Sequence, residues 1–128
     1  ASLKDVQAAV DAASAAFPAW SKTGPGERRK ILLKAADIME AKAGEFSELV
    51  ISETGATGHW GGFNVMVAAS MLREAASMTT QISGEVIPSN KPGSLSMGMR
   101  QAVGVCLGIA PWNATAFRRL PSKPGCRR

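Results

Sequence analysis

The sequence is poor in the residues that bind metals and form disulfide bonds: its 128 residues include two cysteines and one histidine. These are too few soft ligands for a closed zinc site, and two cysteines cannot build a disulfide framework. No apolar run approaches the ~18 residues that span a bilayer, and the N-terminus has no secretory signal. We therefore expect a cytoplasmic protein with no bound metal and no membrane partner.

Charge is present but unevenly placed. The composition, 45% hydrophobic and 20% charged, is that of a globular protein, and the formal net charge is +5. Five of the 15 basic residues and none of the ten acidic ones follow residue 114, so residues 1–114 are neutral. Residues 115–128 are predicted to be a disordered basic tail. Apart from Phe117 this tail has no aromatic residue to stack on bases, so we expect no nucleic-acid partner.

The first half of the sequence predicts helices. Ser2 and Asp5 have the spacing of a capping box, and the apolar residues that follow recur at helical spacing as far as Pro18. Pro25 is well placed to open a second helix, which Gly44 is expected to break. A third helix is expected to end at Gly55.

A glycine-rich stretch, residues 55–62, is predicted to be a flexible connection that leaves His59 at the surface. A longer helix is then predicted over residues 64–83. Its apolar and small residues lie on more than one face, which is typical of a helix buried by several partners.

After a predicted turn at residues 84–88, the hydrophobic period changes from 3.6 to 2. A half-exposed strand is predicted at Leu95, Met97 and Met99. Residues 103–109 alternate bulky with small side chains, which predicts a central strand with Cys106 as a buried, inert thiol. One interior strand with at most one weak partner does not complete a sheet. The fold class is therefore predicted to be α/β, as the front part of a larger protein.

Several short motifs occur in an order that resembles the N-terminal part of the NAD(P)-dependent aldehyde dehydrogenase superfamily, over residues 3–114. They are the helix beginning near Arg28, Glu53-Thr54-Gly55, Gly84-Glu85-x-Ile87-Pro88, Val103-Gly104-Val105 and Ile109-x-Pro111-Trp112-Asn113. The run Leu-Gly-Ile-Ala-Pro-Trp-Asn-Ala from residue 107 is most similar to the branch that acts on aromatic aldehydes, of the salicylaldehyde and vanillin type.

The resemblance implies a fold and a reaction. Residues 1–114 would supply the N-terminal helices, the strand that begins an oligomerisation hairpin and the first strand of an incomplete Rossmann domain. The full-length parent would be a homo-oligomer that oxidises an aldehyde to a carboxylic acid with NAD or NADP. A cysteine thiolate would attack the carbonyl to give a thiohemiacetal, which would become a thioester by losing a hydride to NAD or NADP. A glutamate-activated water would then hydrolyse the thioester.

The resemblance also implies roles for individual residues. Asn113 would donate its side-chain amide to the developing oxyanion, a task suited to a neutral donor that does not titrate. Val67 and Met71 match positions that line the substrate tunnel of some members. The residues that match the cofactor contacts are Ile109, Ala110, Pro111 and Trp112.

The chain also departs from the family. The nucleophilic cysteine, the glutamate base and the lysine that binds the cofactor ribose lie downstream of Asn113 in the family, so we expect this chain to be inactive. Neither Cys106 nor Cys126 has the surroundings to replace the nucleophile. After Ala114 the sequence resembles a shifted reading frame, and we hypothesise a frameshift, a misread end or a clone end. Two other functions stay open: a small helical interaction module without enzymatic activity, and a nucleic-acid binder that uses the tail.

Overall fold

The computed structural model describes residues 2–109 and 111, and within them the chain is mostly helical. Four α-helices are followed by a 3₁₀ helix and a two-stranded antiparallel sheet. In chain order the elements are α1 (Leu3–Trp20), α2 (Pro25–Ala41), α3 (Ala43–Thr54), α4 (Gly58–Ser77), the 3₁₀ helix (Met78–Gln81), β1 (Glu85–Ile87) and β2 (Ser96–Gly98).

The predicted capping box at the start of α1 is confirmed. The N–H of Ser2 donates to Asp5 Oδ2 at 2.7 Å, and the N–H of Asp5 donates to Ser2 Oγ at 3.3 Å. The backbone bond from Ser2 holds the pKa of Asp5 below its ordinary value. The predicted end at Pro18 is wrong, because α1 continues to Trp20. A proline in the last turn loses one backbone bond but keeps a φ suited to a helix.

Two of the boundaries of the next two helices are as the local sequence predicts. Pro25 is the first residue of α2, and Gly55 ends α3 with φ +69°, both as predicted. The break between them is at Lys42 rather than Gly44, which lies inside the first turn of α3. Lys42 turns the chain while its N–H donates to Ile38 O and its carbonyl accepts from Phe46 N, each at 3.1 Å.

The predicted loop over residues 55–62 is wrong beyond Thr57, because α4 begins at Gly58. Thr57 Oγ1 caps the helix by accepting the N–H of Trp60 at 3.3 Å. Gly61 allows α3 to approach α4: a Cβ at this position would lie 3.0 Å from Ser47 O and would overlap Ser47 Oγ. Gly61 is therefore part of the packing between α3 and α4, and His59 is exposed within the helix.

The core lies where α2 and α3 pack against α4. Ala36 of α2 and Ala69 and Leu72 of α4 form its central cluster. The buried hydrophobic side chains are mostly small: Ala36, Val50, Val65, Ala68, Ala69, Leu72 and Ala76. The expectation that several partners bury the long helix is confirmed for one broad face of α4, which α2 and α3 share.

Polar contacts fix the antiparallel pairing of α2 and α4. Arg29 donates from Nε to Ala76 O at 3.2 Å, which places a cation at the C-terminal end of α4. Arg73 of α4 donates from Nη1 to Glu40 Oε1, and from Nη2 to Glu40 Oε2 at 2.8 Å and to Asp37 Oδ1 at 2.9 Å. These bonds lower the pKa of Glu40 and raise that of Arg73.

The small sheet agrees with the sequence prediction in one strand and differs from it in the other. The segment predicted as a turn at residues 84–88 contains β1, which pairs with β2 in the register Val86 opposite Met97. The strand predicted at Leu95, Met97 and Met99 is confirmed over Ser96–Gly98. A three-residue strand is too short to display a period in sequence, so only its pairing identifies β1.

The central strand predicted over residues 103–109 is not formed. This part of the chain has neither helix nor strand, and Val103, Leu107 and Ile109 are 72%, 87% and 88% exposed. Gly104 has φ +109°, and no neighbouring strand offers residues 103–109 a ladder of hydrogen bonds within the described residues. Cys106 is consequently exposed, not buried as predicted. No helix of the described chain is long and apolar enough to cross a membrane.

Candidate functional site

The face of α4 that the core leaves half open carries the two predicted substrate-tunnel residues. Val67 is half-buried and Met71 is 40% exposed, and they lie one turn apart on the same face. Trp60 and Phe63 extend this face towards the start of the helix, with exposures of 39% and 36%. We call these four residues the α4 stripe.

The aromatic half of the α4 stripe was not predicted from the sequence. The rings of Trp60 and Phe63 are stacked, with centroids 5.4 Å apart and planes inclined by 27°. The spacing of Trp60 to Val67 and Met71, at i+7 and i+11, was a usable signal. The glycines around the aromatic residues favour a loop by propensity, and this obscures the helical spacing.

A buried polar residue lies in line with the stripe. Asn64 has no exposed surface, and its Nδ2 donates to Trp60 O at 2.8 Å. Its Oδ1 is also buried and receives no hydrogen bond from the described residues. Buried side-chain polar atoms nearly always have a partner, so this acceptor requires an explanation.

The predicted cofactor residues are only partly described. Ile109 and Pro111 are exposed, whereas Ala110, Trp112 and the predicted oxyanion donor Asn113 lie outside the described residues, as does the predicted tail. The side chains of Ile109 and Pro111 are apolar and have no donor or charge. They fit the wall of a nucleotide pocket, where a flat ring can lie against them, but they cannot bind its phosphates.

A shallow cleft lies between α1 and the extended segment that precedes Ile109. It has a volume of about 280 Å³ and is lined by Ala13, Ala16, Phe17, Trp20, Gly104, Val105 and Cys106. Cys106 is the one titratable side chain in this lining, so the cleft has no acid–base pair. Across residues 2–109 and 111, no group of three His, Cys, Asp or Glu side chains is arranged to hold a metal ion.

The sequence and the fold both match known proteins. The aldehyde dehydrogenase family model matches residues 1–119. The chain is 63% identical over 114 residues to the vanillin dehydrogenase of Pseudomonas sp. (strain HR199 / DSM 7063), a match that covers 89% of this chain and 24% of that protein. It is 51% identical over 116 residues to the salicylaldehyde dehydrogenase of Pseudomonas sp. (strain C18), with 91% and 24% covered.

A solved structure gives the same result for the fold. The salicylaldehyde dehydrogenase from Pseudomonas putida G7, complexed with salicylaldehyde, superposes with a TM-score of 0.86 at 50% identity. The superposition covers 92% of this chain and 24% of that one. The chain therefore spans about a quarter of the length of the relatives it matches.

The family match runs to residue 119, beyond the boundary at 114 that the sequence predicts, and that boundary stays a prediction. The match covers nearly the whole chain, and the order of helices and hairpin is that of the salicylaldehyde dehydrogenase structure. On these grounds the chain belongs to the aldehyde dehydrogenase family.

Proposed function

We propose that this chain is the N-terminal segment of a dehydrogenase that oxidises an aromatic aldehyde to a carboxylic acid with NAD or NADP. The relatives are named for vanillin and salicylaldehyde, which are both hydroxylated benzaldehydes. Two structural neighbours are a NAD-dependent benzaldehyde dehydrogenase and a protein in complex with nicotinamide adenine dinucleotide. The observation that carries the proposal is the half-exposed α4 stripe with its stacked aromatic pair.

The α4 stripe suits a flat apolar substrate. Trp60 and Phe63 offer ring faces and edges, and an aromatic contact contributes about 0.5–1.5 kcal/mol beyond the burial of area. Met71, with an unbranched and polarisable side chain, adapts to the substituents of a ring. In the proposal, Val67 and Met71 form one wall of the aldehyde tunnel and the stacked pair extends it.

The proposed catalytic contribution of this chain is Asn113. Its carboxamide is neutral at all relevant pH values and would donate a hydrogen bond to the oxygen of the aldehyde as that oxygen becomes negative. Loss of one such donor lowers the rate by about 10²–10³ in other enzymes. The nucleophile and the base belong to the part of the family sequence beyond Asn113, so the chain alone is proposed to have no turnover.

The proposed cofactor contacts are Ile109 and Pro111, together with Ala110 and Trp112. When bound, NAD or NADP accepts the hydride that leaves the aldehyde carbon. The role of these apolar side chains would be to position the nucleotide and to keep water from it. None of them distinguishes NAD from NADP.

The small sheet is the proposed contact between copies of the parent. Val86, Met97 and Met99 are 74%, 56% and 75% exposed on this hairpin. Exposed apolar strand edges readily add a further strand. A homo-oligomer formed through the hairpin would cover these side chains.

The proposal is tested in a chimera, with residues 1–114 replacing the matching segment of the vanillin dehydrogenase that is 63% identical. We expect the chimera to oxidise vanillin and salicylaldehyde with NAD or NADP and to prefer them to hexanal. Asn113→Ala should lower kcat by about 10²–10³ while nucleotide binding stays unchanged. The isolated chain, as control, should form no NADH.

Two results would contradict the proposal. A preference of the chimera for hexanal would show that residues 1–114 do not favour aromatic aldehydes. An unchanged kcat in the Asn113→Ala chimera would show that this amide does not contact the reacting oxygen.

A further inference from the structure

The side chain of Asn64 has a fixed orientation. Its Nδ2 donates to Trp60 O at 2.8 Å, and turning the amide over would bring Oδ1 against that carbonyl oxygen. Oδ1 therefore points away from the backbone of α4. It is buried without a donor within residues 2–109 and 111, an arrangement that destabilises a fold unless a partner arrives.

Its position links this acceptor to the α4 stripe. Trp60, Asn64, Val67 and Met71 follow one another at i, i+4, i+7 and i+11, which places them on one face of the helix. Asn64 is the short polar member of that row, and its neighbours Trp60 and Met71 reach solvent. Asn64 itself is fully buried.

We propose that Asn64 Oδ1 accepts a hydrogen bond from a ring hydroxyl of the aldehyde substrate, and so selects hydroxylated benzaldehydes over benzaldehyde. The inference rests on the proposed function, because the ring must lie along the α4 stripe. The phenolic hydroxyl supplies the donor that Oδ1 lacks. Asn64 is closed to solvent, so the proposal requires neighbouring side chains to move aside when the ring binds.

The first test uses the chimera described above, with Asn64→Leu, which keeps the number of side-chain heavy atoms and removes the acceptor. We measure kcat/KM for vanillin, salicylaldehyde and benzaldehyde. The substrate whose hydroxyl reaches Asn64 should lose about 10- to 100-fold, and benzaldehyde should change by less than about twofold. An equal loss for benzaldehyde, or no loss for either hydroxylated aldehyde, overturns the inference.

The second test uses the 128-residue chain alone and does not depend on activity. Asn64→Leu removes the bond from Nδ2 to Trp60 O together with an Oδ1 that has no partner among the described residues. The two effects should offset each other, so the thermal midpoint should fall only slightly. The matched control is Thr79→Val, which removes a buried hydroxyl that does have a partner, Ala76 O at 2.9 Å. Its midpoint should fall.

The two tests separate the possible failures. A chimera that oxidises no aldehyde with Asn64 intact contradicts the proposed function and the inference with it. An active chimera in which Asn64→Leu changes all three substrates equally contradicts the inference alone. A midpoint of Asn64→Leu that falls as far as that of Thr79→Val shows that Oδ1 has a structural partner such as a buried water. That result overturns the inference whatever the activity.

Discussion

The two adjacent glycines of α4 provide a matched pair of substitutions. Gly61 and Gly62 are in the same helix, but a Cβ added at Gly62 meets no atom within 4 Å. At Gly61 the added carbon overlaps Ser47 Oγ and lies 3.0 Å from Ser47 O and 3.3 Å from Ile51 Cγ1. Replacing each glycine with alanine therefore compares helix propensity with and without crowding.

The expected magnitudes have opposite signs. Alanine is favoured over glycine inside a helix by about 0.5–1 kcal/mol, so Gly62→Ala should raise the free energy of unfolding by that amount. Gly61→Ala has the same gain but crowds α3, and overpacking costs about 1–3 kcal/mol. The Ser47 hydroxyl can rotate away, whereas the Ser47 carbonyl belongs to the helix backbone. We expect Gly61→Ala to unfold about 2 kcal/mol more easily than Gly62→Ala.

The measurement is urea unfolding of the chain, followed by far-ultraviolet circular dichroism. With a slope of about 1–2 kcal/mol per molar urea, the two midpoints should differ by about 1 M or more. Adding Ser47→Ala to Gly61→Ala should recover part of the loss, because it removes the nearest obstructing atom. Equal midpoints for the two single variants would refute the close approach of α3 to α4.

Three further predictions concern single residues. Gly55→Ala should lower the free energy of unfolding by about 1 kcal/mol, because Gly55 has a φ of +69°. Gly44→Ala should not lower the free energy of unfolding, because the space around Gly44 is open. Urea titration measures both variants. Arg29→Ala should cost about 1 kcal/mol by exposing the C-terminal carbonyls of α4, measured in the same way. The pKa of Glu40 is lowered by Arg73, so its stabilising effect is present above pH 4.5 and lost as the pH falls through the lower, folded-state value. The difference in thermal midpoint between wild type and Glu40→Gln should therefore vanish in acid, and a difference that grows there would contradict the ion pair.

Features with a local cause were predictable from sequence. The capping box at Ser2, the opening of α2 at Pro25 and the left-handed end of α3 at Gly55 each depend on a few neighbouring residues. The start of α4 was not predictable in the same way. Its glycines suggest a loop by propensity, but Gly61 packs closely on Ser47 of α3, a contact between helices that the local sequence does not show.

Features that depend on distant partners were the ones missed. Residues 103–109 have the alternation of an interior strand but no strand beside them, so they stay extended and exposed. The site shows the same division. The family resemblance predicted Val67 and Met71 as tunnel residues, and that role stays a prediction. The stacking of Trp60 on Phe63, and the Oδ1 of Asn64 that has no partner among the described residues, are visible only in three dimensions.

Under the proposed function, the packing of α4 against α2 and α3 has a consequence for the range of substrates. Buried alanines pack one side of α4 against its neighbours, and Arg29 and Arg73 form hydrogen bonds between α2 and α4. A rotation or shift of α4 would break this packing and these hydrogen bonds. The α4 stripe therefore has a fixed length, with Trp60 and Met71 about 16 Å apart along the helix axis. If substrates lie along the α4 stripe as proposed, those of another size would be accommodated by exchanging its side chains, since the spacing of positions along the helix is constant.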